Sequence, residues 1–219
     1  MLKYIFTSII CIAAFIIMGV MLSPKLGYQN QEVIEFDEAM SSFIYNSHSN
    51  LIDHFMIVLS TYGREIVWVA VIVFMSIFTG RKGKKIAIIM IISFLIIMPL
   101  NILFKYLFER PRPSIEVQEL DTLPKNDFGY PSGHASIVSG GAAILLILFR
   151  KEKELLFSLI LAAEAALVCI SRIYVGDHFL FDVVGGILLG VGISLLSISF
   201  SKYLDPVIAR VRKHFDKAP

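Results

Sequence analysis

The chain has 219 residues, of which 56% are hydrophobic and 17% charged, with a mean hydropathy of +0.74 and a formal net charge of +2. So small a charge, with no basic stripe interleaved with aromatics, excludes a nucleic-acid partner. The charged residues gather between long apolar runs, which excludes an ordinary soluble domain and points to a multi-pass membrane protein in contact with the lipid bilayer.

A helix needs roughly 20 apolar residues to cross about 30 Å of hydrocarbon. The first candidate runs from Tyr4 to Leu22. Its apolar stretch is too long for a signal-peptide h-region and no A-x-A-like site follows, so it reads as an uncleaved anchor. An outer segment, Ser23 to Gly63, comes next. Phe36, Met40, Phe43 and Ile44 recur there at helical spacing, with Glu35, Asp37 and Glu38 among them. A second stretch opens at Asn50, read as an N-cap, and carries Leu51, Ile52, Phe55, Met56 and Leu59. Two readings fit these stretches: short interfacial helices near the headgroup plane, or a helical hairpin packed on the bundle. The remaining spans are Ile66–Thr79 (extendable back through Thr61), Ile86–Phe108, Ala135–Phe149, Leu155–Ile170 and Phe179–Phe200. Cys11 and Cys169 both fall inside apolar runs and read as buried thiols, not as a disulfide or metal framework.

The expected fold is therefore all-α: one six-transmembrane-helix bundle, residues 1–219, with short interfacial helices on the extracytoplasmic side. Positive charge marks the cytoplasmic side. With the N-terminus inside, 13 of the 20 Lys and Arg residues fall in cytoplasmic segments. These segments are the N-terminus, residues 80–85, residues 150–153 and a basic tail at 201–219. Both termini are expected in the cytoplasm of a plasma-membrane protein.

Three polar clusters fall on the outer side: Lys105 to Pro113, Pro131 to His134, and Ser171 to Asp182. Together they supply Lys105, Arg112 and Arg172, two histidines and a carboxylate. Guanidinium forks match phosphate oxygens two at a time, and Lys adds a point charge. Ser132 and Gly133 stand at the expected N-terminus of the fourth span, where free backbone amides favour an anion. The ligand these groups suit is a phosphate. If the sixth span begins near His178, then His178 and Asp182 share a helix face at i and i+4. The carboxylate can then take the Nδ1 proton and leave Nε2 free to attack. His134, with no carboxylate in its own motif, suits protonation of a leaving oxygen. No His/carboxylate set has metal-ligand spacing, so no metal and no other cofactor is expected.

The motifs K-x6-RP (Lys105, Arg112, Pro113), PSGH (Pro131 to His134) and SR-x5-H-x3-D (Ser171, Arg172, His178, Asp182) resemble the signature of the type 2 phosphatidic acid phosphatase and vanadium haloperoxidase superfamily. The resemblance extends over essentially the whole chain, in the form of the family's membrane branch. It implies a phosphohistidine on His178, leaving-group protonation by His134, and phosphate contacts from Lys105, Arg112, Ser132, Gly133 and Arg172. The nucleophile is assigned by the resemblance, since spacing alone leaves it open. The implied activity is hydrolysis of a phosphomonoester or diphosphate on a membrane lipid: a polyprenyl diphosphate, phosphatidylglycerophosphate or phosphatidic acid. The alternatives are a vanadate-dependent haloperoxidase, a lipid phosphotransferase and an inactive membrane scaffold. Oligomeric state is left open.

Three further features stand apart. Glu164 lies within the fifth span, where an ionisable side chain either serves the site or hydrogen-bonds a neighbouring helix as a neutral acid. Gly186, Gly190 and Ser194 form a small-residue stripe suited to close helix packing, within the bundle in the favoured reading and across a dimer in the alternative. The loop 114–130 is net acidic and is not expected to extend the phosphate clamp.

Overall fold

Eight α-helices make up most of residues 2–113 and 127–203, the part of the chain that the computed structural model describes. They are α1 (Leu2–Leu22), α2 (Gln31–Tyr45), α3 (Asn50–Tyr62), α4 (Trp68–Phe78), α5 (Gly80–Phe108), α6 (Gly133–Leu148), α7 (Glu152–Tyr174) and α8 (Leu180–Phe200). No strand occurs among the described residues. Among the described residues, five helices are long and apolar enough to cross a membrane: α1, the continuous stretch Leu51–Phe78, α5, α7 and α8 with its extension to Tyr203. The expected fourth span, α6, has 16 residues. It is about 24 Å long at 1.5 Å per residue, shorter than the hydrocarbon core.

Three expectations need correcting. The stretch that opens at Asn50, read either as an interfacial helix or as part of a packed hairpin, is not a separate element but continues the second span, farther back than Thr61. A π-helical turn, Gly63–Val67, joins α3 directly to α4. Gly63 keeps ordinary right-handed helical angles (φ −59°, ψ −38°), and no proline intervenes, so nothing breaks the helix there. Ser49, not Asn50, is the N-cap of α3. The basic residues at 81–85 are likewise not a loop but the first turns of α5, which runs unbroken through Pro99.

α2 is packed on the bundle, and its faces are reversed relative to a soluble helix. Asp37 and Ser41 are buried, whereas Phe36 and Phe43 are exposed. The buried polar pair has a definite task. The first turn of any helix leaves backbone N–H groups without partners, and the N-cap of α8, Phe179, has no side chain to accept them. Ser41 Oγ accepts from Leu180 N (2.8 Å) and Asp37 Oδ1 from Phe181 N (2.8 Å). One helix thus caps another from outside.

α8 packs against α6 and α1, and α6 packs in turn against α5 and α7. The small-residue stripe is used inside the bundle. A Cβ at Gly190 would stand 2.0 Å from Ser136 O and one at Gly186 2.5 Å from Ser132 O, both on the α6 side. Contacts that short leave room only for glycine. Many apolar side chains, Ile9, Leu95, Met98 and Leu156 among them, point outward. A lipid surround accounts for an exterior of that kind. Lys82 and Glu154, 2.5 Å apart, bring the starts of α5 and α7 to one end of the bundle. Lys105 and Arg172 lie in the last turns of the same helices, at the other end.

Candidate active site

A cavity of about 620 Å³ opens at that second end. Its polar part is lined by Arg64, Glu65, Lys105, Arg112, Asp127, Gly133, His134, Arg172 and His178. Its lower wall is apolar, formed by Trp68, Val69 and Ile72 of α4, Phe94, Ile97, Met98 and Ile102 of α5, and Ile137 of α6. Val69, Met98 and Ile102 are exposed side chains.

Local structure explains how the three clusters converge. α5 ends at Glu109, in the left-handed conformation at φ 48°, its N–H bonded to Lys105 O at 2.9 Å. The chain reverses there and carries Arg110 and Arg112 back over the bundle. α7 ends at a left-handed glycine, Gly176 (φ 73°), a position that side chains other than glycine rarely accept. The turn lets Asp177 N and His178 N both donate to Arg172 O at 3.1 Å. His178 therefore precedes α8 rather than lying on it, which corrects the expected i, i+4 helix pair. The two side chains still face each other, because Asp182 folds back to accept from Phe179 N (3.0 Å). His178 Nδ1 stands 3.5 Å from Asp182 Oδ2.

Arg112 Nη1 lies 3.2 Å from His178 Nε2 and 2.8 Å from Asp177 O. A guanidinium can only donate. The nitrogen that it meets must therefore carry a lone pair, which places the imidazole proton on Nδ1, facing Asp182.

The carboxylate is itself held. Asp182 is fully buried, and Arg110 Nη1 donates to its Oδ1 at 2.7 Å. Arg110 Nη2 donates to Asp37 Oδ2 at 2.6 Å, and the guanidinium lies 4.5 Å from the Phe179 ring centre. Burial works against the Arg110 charge, but the carboxylates of Asp182 and Asp37 outweigh it and raise its pKa above the ordinary value. Sequence reasoning missed both Arg110 and Asp37. Arg110 falls inside the first polar cluster with no motif position of its own, and Asp37 is one acid of three in an amphipathic stretch.

The cations are not bare. Asp127 Oδ2 is 2.6 Å from Lys105 Nζ, and Asp127 Oδ1 is 2.8 Å from Arg112 Nε. Burial would raise the Asp127 carboxyl, but Lys105 and then Arg112 outweigh it and hold it below the usual carboxylate range. The acidic loop thus reaches the clamp through Asp127, while its residues 114–126 lie outside the described residues. Arg172 is bonded to Ser60 O (3.0 Å), to Ser60 Oγ and to Asp177. Gly133 lines the cavity, but Ser132 does not: it is fully buried, with its N–H on Asp182 O at 2.9 Å. His134 Nε2 is 3.9 Å from Glu65 Oε2, a carboxylate from outside its motif. Glu164 does not line the cavity and accepts from Trp68 Nε1 at 3.1 Å, a bond between neighbouring helices. Cys11 and Cys169 are free thiols.

The family profile described as the PAP2 superfamily matches residues 82–206, which hold every one of the three motifs. The chain belongs to the PAP2 superfamily. It is similar to an undecaprenyl-diphosphatase of Sulfolobus acidocaldarius, with 38% identity over 191 residues, 86% of this chain and 88% of that protein. Its fold is similar to that of the first transmembrane PAP2-type phosphatidylglycerolphosphate phosphatase from Bacillus subtilis (TM-score 0.73, 24% identity, 91% of this chain and 98% of that one). It is also similar to Aquifex aeolicus LpxE (TM-score 0.57, 25% identity, 74% of this chain and 93% of that one). The protein is a multi-pass membrane lipid phosphatase of the PAP2 type.

Proposed function

We propose that this PAP2 phosphatase removes the terminal phosphate of a polyprenyl diphosphate at the extracytoplasmic face of the membrane. The observation that carries the reading is the cavity's division into a cationic, two-histidine end and an apolar wall between α4 and α5. Such a cavity suits a phosphorylated headgroup on a hydrocarbon tail. The similarity to an undecaprenyl-diphosphatase over most of both chains supports the diphosphate.

In this reading Lys105, Arg112 and Arg172, with the Gly133 amide at the start of α6, hold the terminal phosphate, and phosphate displaces Asp127 from the clamp. Ser132 supports Gly133 from behind. His178 Nε2 attacks phosphorus in line with the bridging oxygen. The N–P bond forms, the P–O bond breaks, and His134 delivers its proton to the departing oxygen. Asp182 stabilises the charge that develops on His178. Water then attacks the phosphohistidine, giving up a proton to His134, and inorganic phosphate leaves. The cations supply the charge neutralisation that phosphoryl transfer demands.

α6 completes six spans in this reading, with the site beneath the outer headgroups and both termini inside. The Lys and Arg asymmetry supports that orientation. Phosphate release from a panel of polyprenyl diphosphate, phosphatidylglycerophosphate and phosphatidic acid, with and without chelator, tests the function. The diphosphate should be the best substrate and chelator without effect. Loss of activity in chelator with recovery on adding Mg²⁺ overturns the mechanism. Outer labelling of a cysteine placed at residues 80–85 overturns the orientation.

A further inference from the structure

The π-turn between α3 and α4 brings two adjacent charged residues, Arg64 and Glu65, into the cavity. Neither belongs to the three motifs. π-turns inserted in α-helices recur at functional sites. Arg64 Nη2 pairs with Glu65 Oε1, and Glu65 Oε2 stands 3.9 Å from His134 Nε2. Arg64 Nη1 is 3.7 Å from the Cβ position of Gly133. The pair therefore lies on the His134 side of the cavity. Lys105 and Arg112 are joined by Asp127 on the His178 side, where Arg112 touches Nε2.

In-line transfer gives these two sides different meanings. The attacked phosphoryl group lies against His178, and the leaving oxygen lies opposite, by His134. Whatever is attached to the leaving oxygen extends past His134 toward the apolar wall. Trp68 begins that wall one helical turn beyond Arg64. A phosphate attached there would meet Arg64 before the tail meets Trp68.

We propose that Arg64 is a specificity-determining residue that binds the second, departing phosphate of a diphosphate substrate. The assignment rests on the phosphatase reading above. Without ligand, Glu65 serves as the counter-ion. With ligand, the guanidinium turns to the departing phosphate and Glu65 stays on His134 as a positioning residue. As the P–O bond breaks, the bridging oxygen gains negative charge, and Arg64 holds that charge alongside the proton from His134. A phosphate monoester presents nothing for Arg64 to grip, so the residue favours diphosphates over monophosphates of the same lipid.

The test uses the full chain in detergent with a matched pair, farnesyl diphosphate and farnesyl monophosphate. Arg64→Gln should lower kcat/KM for the diphosphate by about ten- to a hundred-fold, the scale of a lost charge-assisted bond. The loss on the monophosphate should be at least ten-fold smaller. Arg64→Lys keeps the charge but not the fork, and should fall between the two. Binding gives an independent reading: Arg64→Gln should weaken methylenediphosphonate about ten-fold more than orthophosphate. Equal losses on both substrates, or on both anions, overturn the assignment. If the unaltered protein hydrolyses neither lipid, the phosphatase reading fails on its own. The ratio of methylenediphosphonate to orthophosphate binding then decides the role of Arg64.

Discussion

The two histidines sit in opposite surroundings. His178 is buried, one nitrogen facing the fully buried Asp182 and the other meeting Arg112. Behind Asp182 stand Arg110 and Asp37, so four side chains from three parts of the chain hold one imidazole. His134 is more open, and it faces a carboxylate, Glu65, that is 3.9 Å away and about half exposed. A nucleophile needs one tautomer and one direction of attack, which a locked, dry network supplies. An acid that serves the leaving group must tolerate different leaving groups, and a looser setting allows it.

The comparison is broken most severely on the His178 side. Asp182→Asn should lower the rate by about 10²–10⁴-fold, the scale for acid/base and orienting groups. Asp37→Ala should act on stability instead. It leaves Arg110 buried with one carboxylate in place of two, and breaking a buried pair costs about 3–5 kcal/mol. Thermal unfolding in detergent should show the loss. An unchanged unfolding temperature would mean that the network does not brace the site.

On the open side, His134→Ala should depend on the leaving group. Alkyl phosphates should lose about 10²-fold, and nitrophenyl phosphate clearly less, because nitrophenolate leaves without a proton. Equal losses on both would remove His134 from the acid role.

The smallest effect belongs to Asp127. Its carboxyl is held below the usual range, so it is ionised at neutral pH and, in the proposed mechanism, competes with phosphate. Asp127→Asn should tighten inhibition by orthophosphate by about two- to five-fold, the scale of an exposed ion pair. The sign follows from the depressed pKa. The ionised contact is complete above the usual carboxylate range and is lost as pH falls through the lowered value. The gap between variant and unaltered protein should therefore close as pH falls through that value, and a gap that widens would contradict it.

Much of this was legible in the sequence. The apolar runs and basic clusters gave the helices, because crossing lipid demands length and apolarity and little else. Lys105, Arg112, His134, Arg172 and His178 were legible as one site because they stand in three separated motifs at the same end of their helices. Asp37 and Arg110 were not, because their meaning lies in a contact between residues 73 positions apart. The join of α3 to α4 was legible only in part: the second span was extendable back through Thr61, but the polar patch around Arg64 and Glu65 reads equally as a break or as a cavity lining. The pairing of His178 with Asp182 was expected for a reason that the structure replaced: a fold-back at the start of α8, not a shared helical face.

The central claim is that His178, the locked histidine, takes the phosphoryl group. Rapid-quench trapping of acid-labile, base-stable phosphate on the protein tests it directly. His178→Ala should trap none and turn over nothing, whereas His134→Ala should trap phosphate on His178 when the leaving group is nitrophenolate. Phosphate trapped in His178→Ala and absent in His134→Ala would contradict the account and exchange the two roles.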